Sequence, residues 1–135
     1  MGVLYTVVPY DESIKDWIKT NNIDIGSLDY GRLPTYIEIK KALDETDLEV
    51  TWDVSESGIH DAIVDRSDGA WTNLVIGEFI DEDSPCSFGF HKGWEEIIYI
   101  VVSFISKITG PLVVIPDTMD GIVVIHGNVI YKEEK

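Results

Sequence analysis

The sequence predicts one α+β domain in which a mostly antiparallel, curved sheet packs on a long buried helix near the C-terminus. Three stretches carry that prediction. Residues 48–54 alternate apolar and polar, the two-residue period of a strand with one wet face. Residues 94–109 confine Glu95, Glu96, Ser103, Ser106 and Lys107 to about a third of the helical circumference at 3.6 residues per turn, which leaves a broad apolar arc. Two β-branched runs, PLVVIP and IVVIH, then flank the turn DTMDG. A chain of 135 residues, 44% of them hydrophobic, can bury one core but is too short for two ordinary domains, so residues 1–135 read as a single unit.

Taken in order, residues 3–8, VLYTVV, form a first strand closed by Pro9. Asp11 caps a short helix whose Ile14, Trp17 and Ile18 share a face, and Asn21-Asn22 end it. Ile23 to Leu33 is loop, punctuated by Gly26, Gly31 and Pro34. Thr35 and Glu38 make the S/T-x-x-E box of a second helix, with Tyr36, Ile39 and Leu43 as its buried stripe. In the strand 48–54, Leu48, Val50, Trp52 and Val54 face the core while Glu49 and Asp53 project together into water. Residues 55–69 show no firm period, and one helical turn around Ile59 to Val64 is expected there.

Residues 71–80, WTNLVIGEFI, form another strand, whose Gly77 marks a bulge or a close backbone approach. The acidic turn 81–85 leads to CSFGFH, residues 86–91, with Cys86, Phe88 and Phe90 on one face and His91 on the other. In the long helix Glu95 and Glu96 sit at the positive end and Lys107 at the negative end, and Gly110-Pro111 stops it. Gly127-Asn128 offers a last reversal into VIYK. The predicted order is β-α-α-β-β-β-α-β-β, with a further β at the end. The unit 86–91, 94–109, 111–116 is a candidate right-handed parallel crossover.

Charge is the most uneven property of the chain. Residues 44–83 hold thirteen carboxylates and one cation, Arg66, and so supply −12 of the net −15. Such a field attracts cationic partners and repels nucleic acid and anionic lipid. Salt adaptation would spread acids over the whole exterior, and eight lysines with near-neutral ends argue against it. The amino terminus has no basic segment followed by a long apolar run, and the longest apolar stretch, Ile97 to Val102, is far short of the roughly 20 residues a bilayer requires. The lone Cys86 can form no internal disulfide. A reducing cytoplasm and no membrane contact are the expectation.

No catalytic signature has comparable weight. His60, His91 and His126 are scattered and lack metal-ligand spacing. Asp117 and Asp120 flank a D-x-x-D-G turn that explains them without a cation. Alternation makes Cys86 diverge from His91, so a buried thiol is favoured over a nucleophile. Neither a nucleophile elbow nor a phosphate loop is present, and FGFHKG at 88–93 reads as a strand-to-helix joint before it reads as an anion site. No enzyme activity, metal or cofactor is implied.

Residues 90–125, FHKGWEEIIYIVVSFISKITGPLVVIPDTMDGIVVI, combine an F-x-K-G entry, an amphipathic helix, G-P, a β-run, P-D and a small turn. This pattern resembles one seen in small bacterial immunity proteins of polymorphic and contact-dependent toxin systems, and covers under a third of the chain. The resemblance implies a cytoplasmic antidote that binds a toxin made by the same cell and does no chemistry. It carries over no contact residue. Charge alone nominates Glu49, Asp53, Asp61, Asp65, Asp68, Glu78, Asp81, Glu82 and Asp83 as the partner-binding set, with a basic toxin domain as partner. Trp52 and Trp71 are candidate anchors, although alternation places Trp52 in the core. The competing expectation is a structural or assembly module, oligomeric or phage-related, whose acidic face only keeps it soluble.

Overall fold

A computed structural model describes residues 4–54, 60–77 and 81–133. Its elements are β1 (Leu4–Pro9), α1 (Lys15–Thr20), α2 (Tyr36–Glu45), β2 (Glu49–Val54), β3 (His60–Asp65), β4 (Trp71–Ile76), β5 (Phe88–Gly93), α3 (Glu95–Thr109), β6 (Leu112–Pro116), β7 (Val123–His126) and β8 (Val129–Tyr131). All eight strands join one sheet in the order β2-β3-β4-β5-β1-β6-β7-β8, and every neighbouring pair is antiparallel. The α+β class and the predicted order hold, with one strand added.

That strand is β3, which replaces the helical turn expected around 59–64. Ala62 and Val64 are buried and alternate with the more open Asp61, Ile63 and Asp65, while β2 and β4 pair with it over its whole length. Two hydrogen-bonded edges outweigh a weak local pattern. A second correction concerns α1. Ile14, not Asp11, is its N-cap, and Asp11 instead accepts hydrogen bonds from the backbone and hydroxyl of Ser13 in the preceding turn. The suggested crossover is also split. β5 and β6 run parallel at the two ends of α3, and β1 lies between them, antiparallel to both.

The sheet has unequal faces. On one side α2 and α3 bury the main core, in which Ile97, Ile98, Val101, Val102 and Ile105 of α3 meet residues such as Tyr5, Val7, Leu74, Phe90 and Leu112. On the other side α1 and the following loop cover only the β1-β6-β7 region, where Ile18, Ile23 and Ile25 pack with Val113 and Val124. β6 and β7 are therefore buried on both faces, which is why their sequences are nearly unbroken apolar runs. The polar arc of α3 is only partly wet: Ser106 is buried, its hydroxyl accepting from Gly127 N at 2.8 Å, and Ser103 donates to Gly127 O. These two serines fasten the β7–β8 turn to the helix.

At the start of α2 the capping box forms as predicted, with Glu38 N donating to Thr35 Oγ1 at 3.1 Å and Thr35 N to Glu38 Oε1 at 3.0 Å. Arg32 grips the same carboxylate through two 2.7 Å bonds. The guanidinium holds the Glu38 carboxyl down at about 2, against an ordinary 4.5. Thr35→Ala is expected to lower unfolding free energy by about 1 kcal/mol in urea titrations. Because the folded pKa of Glu38 is the depressed one, its contribution is complete above about pH 4.5 and is lost as pH falls toward 2. Glu38→Gln should accordingly flatten the fall of melting temperature across that window, as measured by thermal unfolding at a series of pH values.

Candidate protein-binding face

Away from α2 and α3, strands β2 to β5 present a face over which no helix packs among the described residues. Register fixes its rows. Glu49 lies opposite Asp65, which lies opposite Trp71. Thr51, Ile63, Asn73, His91 and Leu4 form the next row, and Asp53, Asp61, Val75, Gly89 and Thr6 the third. Side chains directly opposite in such a ladder have Cβ atoms about 4.5–5.5 Å apart. Glu49 with Asp65 and Asp53 with Asp61 are thus two in-register pairs of like charge. The alternation of β2 that the sequence predicted, with Trp52 on the core side against Tyr36, is what turns these acids outward. Trp71 has the opposite phase and faces out beside Asp65.

The other nominated acids stand elsewhere. Asp68, in the β3–β4 turn, is ion-paired with Arg66 at 2.7 Å, and that contact holds its carboxyl at about 2. Arg66 also bridges at 2.7 Å to Glu96 in the first turn of α3, so the single cation of the acidic stretch is already engaged. Asp81, Glu82 and Asp83 form a turn in which Asp81 accepts from Asp83 N at 2.9 Å. The Glu82 carbonyl accepts from Ile37 N at 3.2 Å, which ties this turn to the start of α2 on the helix side of the sheet. Glu78 lies outside the described residues. Four of the nine, Glu49, Asp53, Asp61 and Asp65, therefore share the open face.

Beside those acids runs a feature that the sequence did not disclose, a groove of about 700 Å³ lined chiefly by β1, β4 and β5. Its floor exists because Gly89 has no side chain: a Cβ there would lie 2.4 Å from the carbonyl oxygen of Tyr5. Leu4, Thr6, Val75 and His91 stand around it, and Asp117 closes one side. The alternation of β1, Tyr5 and Val7 in against Leu4 and Thr6 out, was available from sequence. The pairing of β1 with β5 was not. In the same region Asn73 Oδ1 is enclosed without a hydrogen-bond partner, next to a bulge in the β4–β5 pairing.

His91 and Asp117 both line the groove, and so does Ser87, but Ser87 and His91 are four residues apart along extended chain, about 13 Å, too far for nucleophile and base. Cys86 is buried, its thiol pushed up to about 11 by desolvation, as an inert core thiol should be. Among the described residues no group of three or more His, Cys, Asp or Glu side chains is arranged to hold a metal, and no helix is long and apolar enough to cross a membrane. At the N-terminus of α3, Glu95 and Glu96 occupy the first turn where an anion would have to sit.

No protein-family model, curated protein or solved structure matches this chain, so nothing is carried onto the face from a relative. Its charge pairs make a direct prediction. Glu49→Lys converts the Glu49–Asp65 repulsion into attraction and should raise stability by about 0.2–1 kcal/mol. The gain should shrink in about 1 M salt, where the Debye length is about 3 Å, when both forms are unfolded by urea at each ionic strength.

Proposed function

We propose that this chain is a non-enzymatic acidic protein that binds and neutralises a basic protein partner, as an immunity protein inhibiting a nuclease-type toxin of the same cell. One observation carries the reading: two in-register pairs of like charge on a sheet face left open by both helical layers. Like charges held opposite one another cost stability, and a cationic partner would relieve that cost. Nucleases hold phosphates in basic clefts, and carboxylates projecting from a rigid sheet can occupy those cation positions. A concentrated field also speeds encounter, to about 10⁸–10⁹ M⁻¹s⁻¹ at low salt, which suits an inhibitor that must act before its target does.

The resemblance over 90–125 supports the same reading from another part of the chain. That segment forms most of β5, α3, β6 and β7, and so lies outside the acidic strands β2 and β3. The assembly reading has its own support in the exposed Val129 and Ile130 on the edge strand β8, beside an apolar hollow of about 370 Å³ lined by Ile100 and Phe104. Light scattering distinguishes the two, because a self-assembling module forms a defined homo-oligomer unaided.

The direct test is binding to a panel of basic nuclease toxin domains, with growth protection on co-expression as the second readout. Wild-type affinity is expected to fall steeply between about 50 and 500 mM salt. The charge-reversed variant E49K/D53K/D61K/D65K should lose at least about a hundredfold in affinity. Affinity indifferent to both salt and charge reversal would refute the reading.

A further inference from the structure

We infer that the groove over Gly89 is the anchor site of the open face, and that its occupant is a segment of a basic partner protein presenting a row of large apolar side chains flanked on both sides by lysine or arginine. This rests on the proposed function above, which names the charge of the partner but not how it is held. The groove is lined chiefly by apolar residues with the carboxylate of Asp117 at its margin, and Asp61 lies just outside it. Leu4 and Val75 supply its walls, and Leu4 is 47% exposed, a large aliphatic side chain left half in water. Asp61 is the cross-strand neighbour of Val75 on one side. Asp117 lies on the other side, its amide bonded to Leu4 O at 2.8 Å.

With strands about 4.8 Å apart, Asp61 stands roughly 10 Å from the groove floor, two strands away. Lysine and arginine side chains can cover that distance while their stems lie on the apolar wall. Among the described residues the groove is also open to solvent rather than enclosed. A small-molecule site encloses most of its ligand, whereas an open trough on a sheet covers one side of an occupant, as a protein surface requires. An anionic lipid or nucleic acid would meet carboxylates on both flanks. Charge complementarity thus specifies the rim of the partner segment and the trough specifies its centre.

The test uses the intact chain and two synthetic helical peptides about 18 residues long, identical in their lysine flanks. One carries a central row of leucines and the other serines in their place. Titration followed by amide NMR should show the leucine peptide binding about tenfold or more tightly than the serine peptide, with the amides of Thr6, Val75 and Gly89 among those that shift. Thr6→Trp fills the trough without changing charge and should abolish the leucine advantage while leaving the weaker, salt-sensitive binding of both peptides. Val75→Trp fills it from the opposite wall and stands in if Thr6→Trp does not unfold cooperatively.

Equal binding of the two peptides, failure of both to bind, or a leucine advantage untouched by either tryptophan variant would overturn the inference. Its failure is separable from failure of the charge reading. Serine-peptide binding that E49K/D53K/D61K/D65K abolishes keeps the charge reading when the groove fails. A leucine advantage that the same variant leaves intact keeps the groove when the charge reading fails.

Discussion

Strand β1 is hydrogen-bonded along both edges, to β5 and to β6, and the sheet is continuous only through it. α3 leaves β5 and delivers the chain to β6, so the helix spans the gap that the first strand of the protein must fill. The inward residues of β1, Tyr5 and Val7, are part of the core that α3 covers. Contacts between chain segments so far apart are costly to close and are recovered only when the helix and all three strands are in place. The same constraint dictates Gly89, because the β5 backbone passes too close to the Tyr5 carbonyl to admit a Cβ. A requirement of packing at the centre of the sheet thereby opens a trough on its outer face.

The two halves that β1 joins differ in what covers them. The β6-β7 side is enclosed by α3 and by the α1 layer, and its strands are almost wholly apolar, with only His126 polar at the end of β7. The β2–β5 side is covered once and carries the acids of β2 and β3. Charge on an edge strand has a use of its own, since it blocks the edge-to-edge pairing that a bare strand invites. That accounts for Glu49 and Asp53 on β2, the terminal strand of the sheet. It does not account for Asp61 and Asp65, which lie on an internal strand directly opposite them and add repulsion where no edge needs protection. Edge protection therefore explains the carboxylates of β2 and leaves those of β3 to the proposed partner.

Much of this architecture was legible in the sequence because the relevant patterns were long or strongly punctuated. The long C-terminal helix, Glu95–Thr109 with Trp94 as its cap, its glycine-proline stop, the Thr35–Glu38 box and the alternation of 48–53 all stand in the structure, and the inward Val54 lies outside the described side chains. The strand β3 was hidden because its buried members, Ala62 and Val64, are few and Ile63 faces outward, which blurs a period of two. Acid identity alone could not sort the nominated set, since only register shows that Glu49, Asp53, Asp61 and Asp65 meet. Asp68 went unsorted for a related reason: its partnership with Arg66 is local, but the Glu96 that completes the cluster comes from thirty residues on. The groove was beyond reach of any local pattern, being made where β1 meets β5, strands far apart in the sequence.

Charge and shape divide the work of recognition differently on such a face. At physiological ionic strength the field of surface carboxylates is screened within about 8 Å, so it can gather cationic surfaces but cannot choose among them. Discrimination needs groups that are desolvated on contact and tolerate only one complement. The open face has two features of that kind near its acids. Trp71 stands in the row of Glu49 and Asp65, and the trough over Gly89 lies in the row of Asp53 and Asp61. Each like-charged pair thus shares its row with one apolar feature. A partner that matched the charges but not the spacing of those features would be attracted and not retained, which is the behaviour that specificity among similarly basic proteins demands.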